Sequence, residues 1–72
     1  MSWRQASIEA LRRSGPMTAS DILGKIETLE LREITGLTPE ATIGSILYTA
    51  IKNGDVRIRL ISRGIFELIE QS

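Results

Sequence analysis

The chain is 72 residues and 8.0 kDa, with 42% apolar and 25% charged residues, a composition ordinary for one soluble domain and a length too short for two. It contains neither cysteine nor histidine. That excludes a disulfide or thiolate-metal brace and removes the commonest general base, zinc ligand and pH switch together. Nine Lys and Arg balance nine Asp and Glu, so bulk charge excludes a strongly basic nucleic-acid binder but leaves room for a local basic patch.

In chain order, Ser2 and Gln5 form an S-x-x-Q capping box that starts a short amphipathic helix over about residues 3–13, with Ala6, Ile8 and Leu11 on its apolar face. Gly15-Pro16 stops it. Thr18 is the next N-cap, with Asp21 three residues on. Ile22, Leu23, Ile26 and Leu29 then mark the buried face of a helix over about 19–29, and Met17 is placed to staple back onto it. Residues 30–37 read as a loop from which Leu31 or Ile34 dips into the core. Thr38-Pro39-Glu40 is the clearest helix start, combining a cap hydroxyl, a proline at the first helical position and an acidic first turn. The helix it opens runs to Lys52 or Asn53, with Gly54 as the left-handed stop. Its buried stripe is Ala41, Ile43, Ile46, Leu47, Ala50 and Ile51; Glu40, Gly44, Ser45, Thr49 and Lys52 face out.

Asn53-Gly54 also fits a hairpin turn, but the residues before it have helical period rather than alternation. Val56, Ile58 and Leu60 alternate with Arg57, Arg59 and Ile61 as a strand. Ser62-Arg63-Gly64 is a tight turn, and Ile65, Phe66, Leu68 and Ile69 form a second strand with Glu67 and Glu70 outward. Two strands need a helical layer over one face. The order therefore predicts an α+β winged helix-turn-helix: a three-helix core with a C-terminal β-hairpin wing, one domain over residues 1–72. Pro16-Met17 is extended by the proline and the cap and could add a short third strand at the sheet edge.

A more specific pattern runs through the same elements: Pro16-Met17, Ile22 and Ile26, the block Gly36-Leu37-Thr38-Pro39-Glu40-Ala41-Thr42-Ile43, Leu47-Tyr48, Ile51-Lys52-Asn53-Gly54-Asp55, and Gly64-Ile65-Phe66-Glu67-Leu68. This pattern resembles the HARE-HTH domain, a winged helix of ASXL chromatin proteins, of the RNA polymerase delta subunit and of restriction-endonuclease fusions. The likeness covers about residues 5–70. It departs from the family at Ile58, where an aromatic is usual, at Leu60, where a basic residue is often seen, and at Ser62, where the family has a turn glycine. The resemblance implies a DNA-associated role linking restriction, chromatin modification or transcription to plain or modified DNA.

The charge is unevenly placed. Arg4, Arg12 and Arg13 against Glu9 leave residues 1–13 at net +2. Lys25 and Arg32 against Asp21, Glu27, Glu30, Glu33 and Glu40 leave 21–40 at −3; Lys52, Arg57, Arg59 and Arg63 against Asp55 leave 52–63 at +3; Glu67 and Glu70 leave the last nine at −2. The basic cluster falls on the elements a winged helix presents to DNA. Thr38, Thr42 and Ser45 would approach a groove or a phosphate from the start of the third helix, Thr49 and Lys52 would continue that face, and Arg57, Arg59 and Arg63 would contact backbone phosphates or enter the minor groove. Glu40 opposes phosphate there.

Each of these residues has a plainer role as well. Thr38 is a cap in any helix, Gly44 and Ser45 would let another helix approach, and Arg57, Arg59 and Arg63 suit any solvated strand or turn. Trp3 is expected to pack on the core, or else to anchor a partner; Tyr48 is expected to lay its ring on the hairpin rather than stack on a base. The acidic stretch 21–40 is a solvated face or a surface for a basic protein.

No Ser/Lys pair at useful spacing, no glycine-rich phosphate loop ending in Lys-Ser/Thr and no carboxylate set at metal-ligand spacing is present, so no enzyme, cofactor or metal is expected. No signal-peptide pattern and no membrane-spanning apolar run is present, which points to a cytoplasmic or nucleoid-associated protein. The expected function is weak binding of double-stranded DNA that targets a larger restriction, chromatin or transcription assembly. The alternative is a module that docks on a protein partner, such as RNA polymerase or a nuclease subunit, or serves a fused domain.

Overall fold

The structure, a computed structural model, describes residues 2–34, 39–55 and 57–69. The chain runs α1 (Trp3–Ser14), β1 (Met17–Thr18), α2 (Ala19–Thr28), α3 (Pro39–Lys52), β2 (Ile58–Ser62) and β3 (Ile65–Leu68).

The helix ends form where side-chain chemistry places them. In α1 the capping box closes in both directions: Ser2 Oγ accepts the Gln5 N–H at 3.1 Å, and Gln5 Oε1 accepts the Ser2 N–H at 3.3 Å. Gly15 ends the helix at φ 82°, a conformation open to glycine, and donates its N–H to the Leu11 carbonyl. Thr18 Oγ1 caps α2 by accepting the Asp21 N–H at 3.2 Å. At the other end of α2, Leu31 N–H reaches the Ile26 carbonyl and Glu30 N–H the Glu27 carbonyl, a Schellman turn with Glu30 left-handed at φ 52°. That turn folds Leu31 back against the core, whereas Ile34 is exposed.

Helix α3 starts at Pro39; its expected cap, Thr38, lies outside the described residues. A second Schellman turn ends it: Asp55 N–H donates to the Ala50 carbonyl at 2.9 Å and Gly54 N–H to the Ile51 carbonyl at 3.0 Å, with Gly54 at φ 87°. Ile43, Leu47 and Ala50 are buried, and Ile46 and Ile51 are half-buried. Ala41, expected inside, is exposed. It lies one turn before Ser45 and so shares the outward side of the helix.

The three strands form one antiparallel sheet in the order β1-β3-β2. Met17 and Thr18 supply the short edge strand, pairing with Phe66 and Ile65. In the hairpin, Ile58 pairs with Leu68, Arg59 with Glu67, Leu60 with Phe66 and Ser62 with Ile65. The turn is therefore Arg63-Gly64 rather than three residues, and the extra residue, Ile61, sits in a register break between Leu60 and Ser62. Leu60 does not share the burial of Ile58, although the alternation puts both on one face: Ile58 is buried and Leu60 is exposed. Val56 and Glu70 lie outside the described residues.

Phe66 drives from the sheet into the helices and is fully buried with Leu11, Ile22, Ile26, Ile43 and Leu47. Met17 is buried beside them, so the residue before the Thr18 cap serves strand and core together. Small residues set the helix spacing. Ala6 and Ala10 are fully buried on α1, and a Cβ built at Gly44 of α3 would meet the Ala19 Cβ of α2 at 4.0 Å. Ser7 is the buried polar residue among the described residues, and its hydroxyl donates to the Trp3 carbonyl at 2.7 Å. Three helices closed by a sheet with a hairpin wing make an α+β winged helix.

Candidate nucleic-acid interface

Burial of Ile43, Leu47 and Ala50 decides what α3 shows to solvent. The opposite face carries Ala41, Ser45, Tyr48, Thr49 and Lys52, all exposed. At 3.6 residues per turn these positions form one stripe. The expected Ser45, Thr49 and Lys52 therefore come together, while Thr42 is half-buried at the margin and Thr38 falls outside the described residues. Small and hydroxylic side chains ending in one ammonium leave the helix free to lie close to a neighbouring surface.

The wing arginines do not form one free cationic wall. The Schellman turn after α3 holds Asp55 just beyond the helix. Asp55 Oδ1 accepts the Arg57 backbone N–H at 3.0 Å and Arg57 Nε at 3.2 Å; Oδ2 accepts Arg57 Nη2 at 3.2 Å and Arg4 Nη2 at 2.7 Å. Hydrogen bonds from the Arg57 side chain and then from its backbone N–H hold the Asp55 carboxyl far below the usual carboxylate range; burial opposes them less strongly, and the Arg4 hydrogen bond adds a smaller push downward. Arg59 lies directly opposite Glu67, and both its Nε and Nη2 reach Glu67 Oε1 at 2.7 Å. That pair sits on the sheet face away from Phe66, because Arg59 alternates with Ile58 and Leu60. Arg63 in the turn and Lys52 at the end of α3 have no ion-pair partner among the described residues.

The pairing keeps a positive balance but moves it. Arg4, Lys52, Arg57, Arg59 and Arg63 against Asp55 and Glu67 leave net +3, distributed as one charge each on Lys52, Arg63 and the Arg4–Asp55–Arg57 corner. That corner, with Ser45, Thr49 and Asn53, lines an open groove between the start of α1 and the second half of α3. Arg4 belongs to the site although the sequence reading placed it only in a basic segment. The one available signal was the net +2 of residues 1–13, which pointed at a helix and not at a contact 51 residues away. Arg12 and Arg13, the other two cations of that segment, both bind Glu9 and lower its carboxyl pKa, Arg13 more than Arg12.

The two aromatic expectations are met by packing. Trp3 is half-buried against the core, with the Arg32 guanidinium 4.4 Å above its ring. Tyr48 sets its ring edge-on to Phe66, with centroids 5.1 Å apart at 75°, and keeps its outer side in solvent. No group of three carboxylates able to hold a metal ion occurs among the described residues, and no helix among them is long and apolar enough to cross a membrane.

Among known families, the HARE-HTH model, described as the helix-turn-helix domain of ASXL proteins and restriction endonucleases, matches residues 1–70. Comparisons with curated proteins and with solved structures gave no match. A helix-turn-helix family points to a DNA-binding module rather than a catalyst. Matched over essentially its whole length, the chain belongs to the HARE-HTH family.

Proposed function

We propose that this is a low-affinity module for double-stranded DNA, non-enzymatic, acting inside the cell to bring a larger restriction, chromatin or transcription assembly onto plain or modified DNA. The observation that carries the reading is the outward stripe of α3: Ser45, Thr49 and Lys52 exposed on one side, bordered by the groove that holds Arg4 and Arg57. Helix α3 lies against the major groove, Lys52 and Arg63 take backbone phosphates, and the Arg4–Asp55–Arg57 corner faces a third phosphate with its single net charge. Arg59 contributes little, because a phosphate there must displace Glu67. Thr38 and Thr42 border the start of the same helix and are assigned to the phosphate contact made there.

About three phosphate contacts set a log–log salt slope near −0.9 per contact, so roughly −3. That is a weak module in need of avidity from a partner domain. The test is fluorescence anisotropy with plain and base-modified duplexes at two salt concentrations. Lys52→Ala and Arg63→Ala should each make the slope shallower by about one, and Arg59→Ala should leave it almost unchanged. Binding with no salt dependence, or equal effects of all three substitutions, refutes the assignment.

A further inference from the structure

Beyond the DNA reading, we propose that the open edge of β2, with the apolar patch beside it, docks an extended segment of a partner protein in which acidic residues flank a short apolar run. Leu60, Ile61 and Tyr48 are 41%, 45% and 49% exposed. Leu60 is the register partner of Phe66, Tyr48 packs its ring against Phe66 in a T-shaped contact, and Ile61 follows Leu60 along the edge strand, in the break. Single exposed apolar residues are ordinary, but two beside a buried phenylalanine, with a third next along the edge strand, make a patch.

The backbone beside that patch is also unclaimed. The sheet order leaves β2 at an edge. Ile69 N–H donates to the Arg57 carbonyl at 2.6 Å, so Arg57 and Ile69 form a hydrogen-bonded pair. Pair types alternate along an antiparallel ladder, which makes Ile58–Leu68 and Leu60–Phe66 the non-bonded pairs. The N–H and C=O groups of Ile58 and Leu60 therefore point away from β3. The Asp55 carbonyl takes the Ile58 N–H at 3.4 Å. The Leu60 N–H and the Ile58 and Leu60 carbonyls remain, with no strand beyond them among the described residues. Edges of this kind accept an added strand unless charge or irregularity protects them. Here the bulge is confined to the turn end of the strand, and the charge of Arg59 is bound by Glu67 on the neighbouring strand.

Charge complementarity selects the occupant. Lys52 lies one turn beyond Tyr48 on α3, and Arg63 stands in the turn next to the patch; neither has an ion-pair partner among the described residues. Lys52 ends the helix that precedes β2 and Arg63 directly follows β2, so an added strand with carboxylates at the two ends of its apolar run is complementary to both. A second copy of this chain would instead bring its own Lys52 and Arg63 against the same cations. A duplex gains nothing from Leu60 and Ile61, because a phosphate offers no apolar surface to cover them.

The test is a titration of the full chain, followed through its backbone amide NMR signals, with a synthetic ten-residue peptide of a central valine run flanked by glutamates. Saturable shifts at Leu60, Ile61 and Tyr48 below about 1 mM peptide are expected. Ile61→Lys, at an exposed position, should weaken binding at least tenfold, as should lysine for glutamate or a central proline in the peptide. Equal shifts from the lysine or proline peptide, shifts confined to other residues, or no saturation overturn the proposal. So does concentration-dependent movement of the same signals in the free chain, which would assign the edge to self-association. Duplex DNA is titrated separately. If DNA alone moves Leu60 and Ile61, the patch belongs to the DNA face; if the peptide binds and DNA does not, the DNA reading fails while this one stands.

Discussion

Asp55→Asn separates stability from binding, because one carboxylate holds two arginines that the proposed interface would use. In the folded chain Asp55 accepts three hydrogen bonds from Arg57 and one from Arg4, and the two guanidinium side chains are about half exposed, at 53% and 50%. Ion pairs that wet are worth roughly 0.2–1 kcal/mol each, and the bond to the Arg57 backbone N–H about 1 kcal/mol. Asparagine keeps one acceptor oxygen and so retains part of this, and the net loss should be about 1 kcal/mol. For a domain of this size that lowers Tm by roughly 4–8 °C. The sign with pH follows from the depressed carboxyl. A group whose folded pKa lies below its unfolded value near 4 stabilises fully above that value and loses its contribution as pH falls through the folded one. The Tm gap between wild type and Asp55→Asn should therefore be constant near neutrality and narrow steadily below about pH 4. DNA binding should move the opposite way. Releasing Arg4 and Arg57 from a shared anion makes up to one further charge available, and the salt slope should steepen by about one. Thermal melts across pH and anisotropy across salt measure the two halves. A variant that loses stability but leaves the salt slope unchanged or shallower refutes the placement of the Arg4–Asp55–Arg57 corner on the DNA.

Leu47→Ala removes a side chain that is fully buried between the helices and the sheet; it should cost about 3 kcal/mol in a urea melt, a large share of the stability available at this length. Two glycines should respond in opposite directions in the same assay. Gly24 lies in the exposed interior of α2 with nothing within 4 Å of an added Cβ, so Gly24→Ala should stabilise by roughly 0.5–1 kcal/mol. Gly15 has equal space but stands at φ 82° and ψ −165°, so Gly15→Ala should destabilise by about 1–3 kcal/mol from backbone strain alone.

The helices were legible because local chemistry sets their ends. Ser2 with Gln5, Thr18 with Asp21, and Gly15 and Gly54 each act within a few residues, and each does in the fold what its spacing indicates. Even the edge strand at Met17 follows from a local restriction, the proline before it and the cap after it. Two apolar positions escaped this logic. Ala41 is apolar but too small for composition to place it, and its position on the outward side of α3 is decided by where Ile43 and Leu47 must go. Leu60 alternates correctly and is still exposed, because the bulge at Ile61 and the end of the helical layer are tertiary facts.

Charge was the hardest thing to read, and the reason is general. A count along the chain puts net +3 into residues 52–63 and says nothing about which carboxylates will stand beside those cations. Two different mechanisms supply them. Asp55 reaches Arg57 because a helix-ending turn fixes it two residues away, a local relation, and then collects Arg4 from the far end of the chain, which is not local at all. Glu67 reaches Arg59 because hairpin register sets them opposite each other, and a one-residue change in the turn would undo it. That register dependence can be used directly. Deleting the bulged Ile61 would make Leu60–Phe66 and Ser62–Ile65 consecutive pairs and keep Arg59 opposite Glu67, so the deletion should leave the salt slope unchanged, whereas Glu67→Gln in the unaltered register should free the guanidinium and steepen the slope by about one. If the folded deletion variant steepens the salt slope, or Glu67→Gln leaves it at the wild-type value, the cross-strand pairing with Glu67 is not what holds that cation away from DNA.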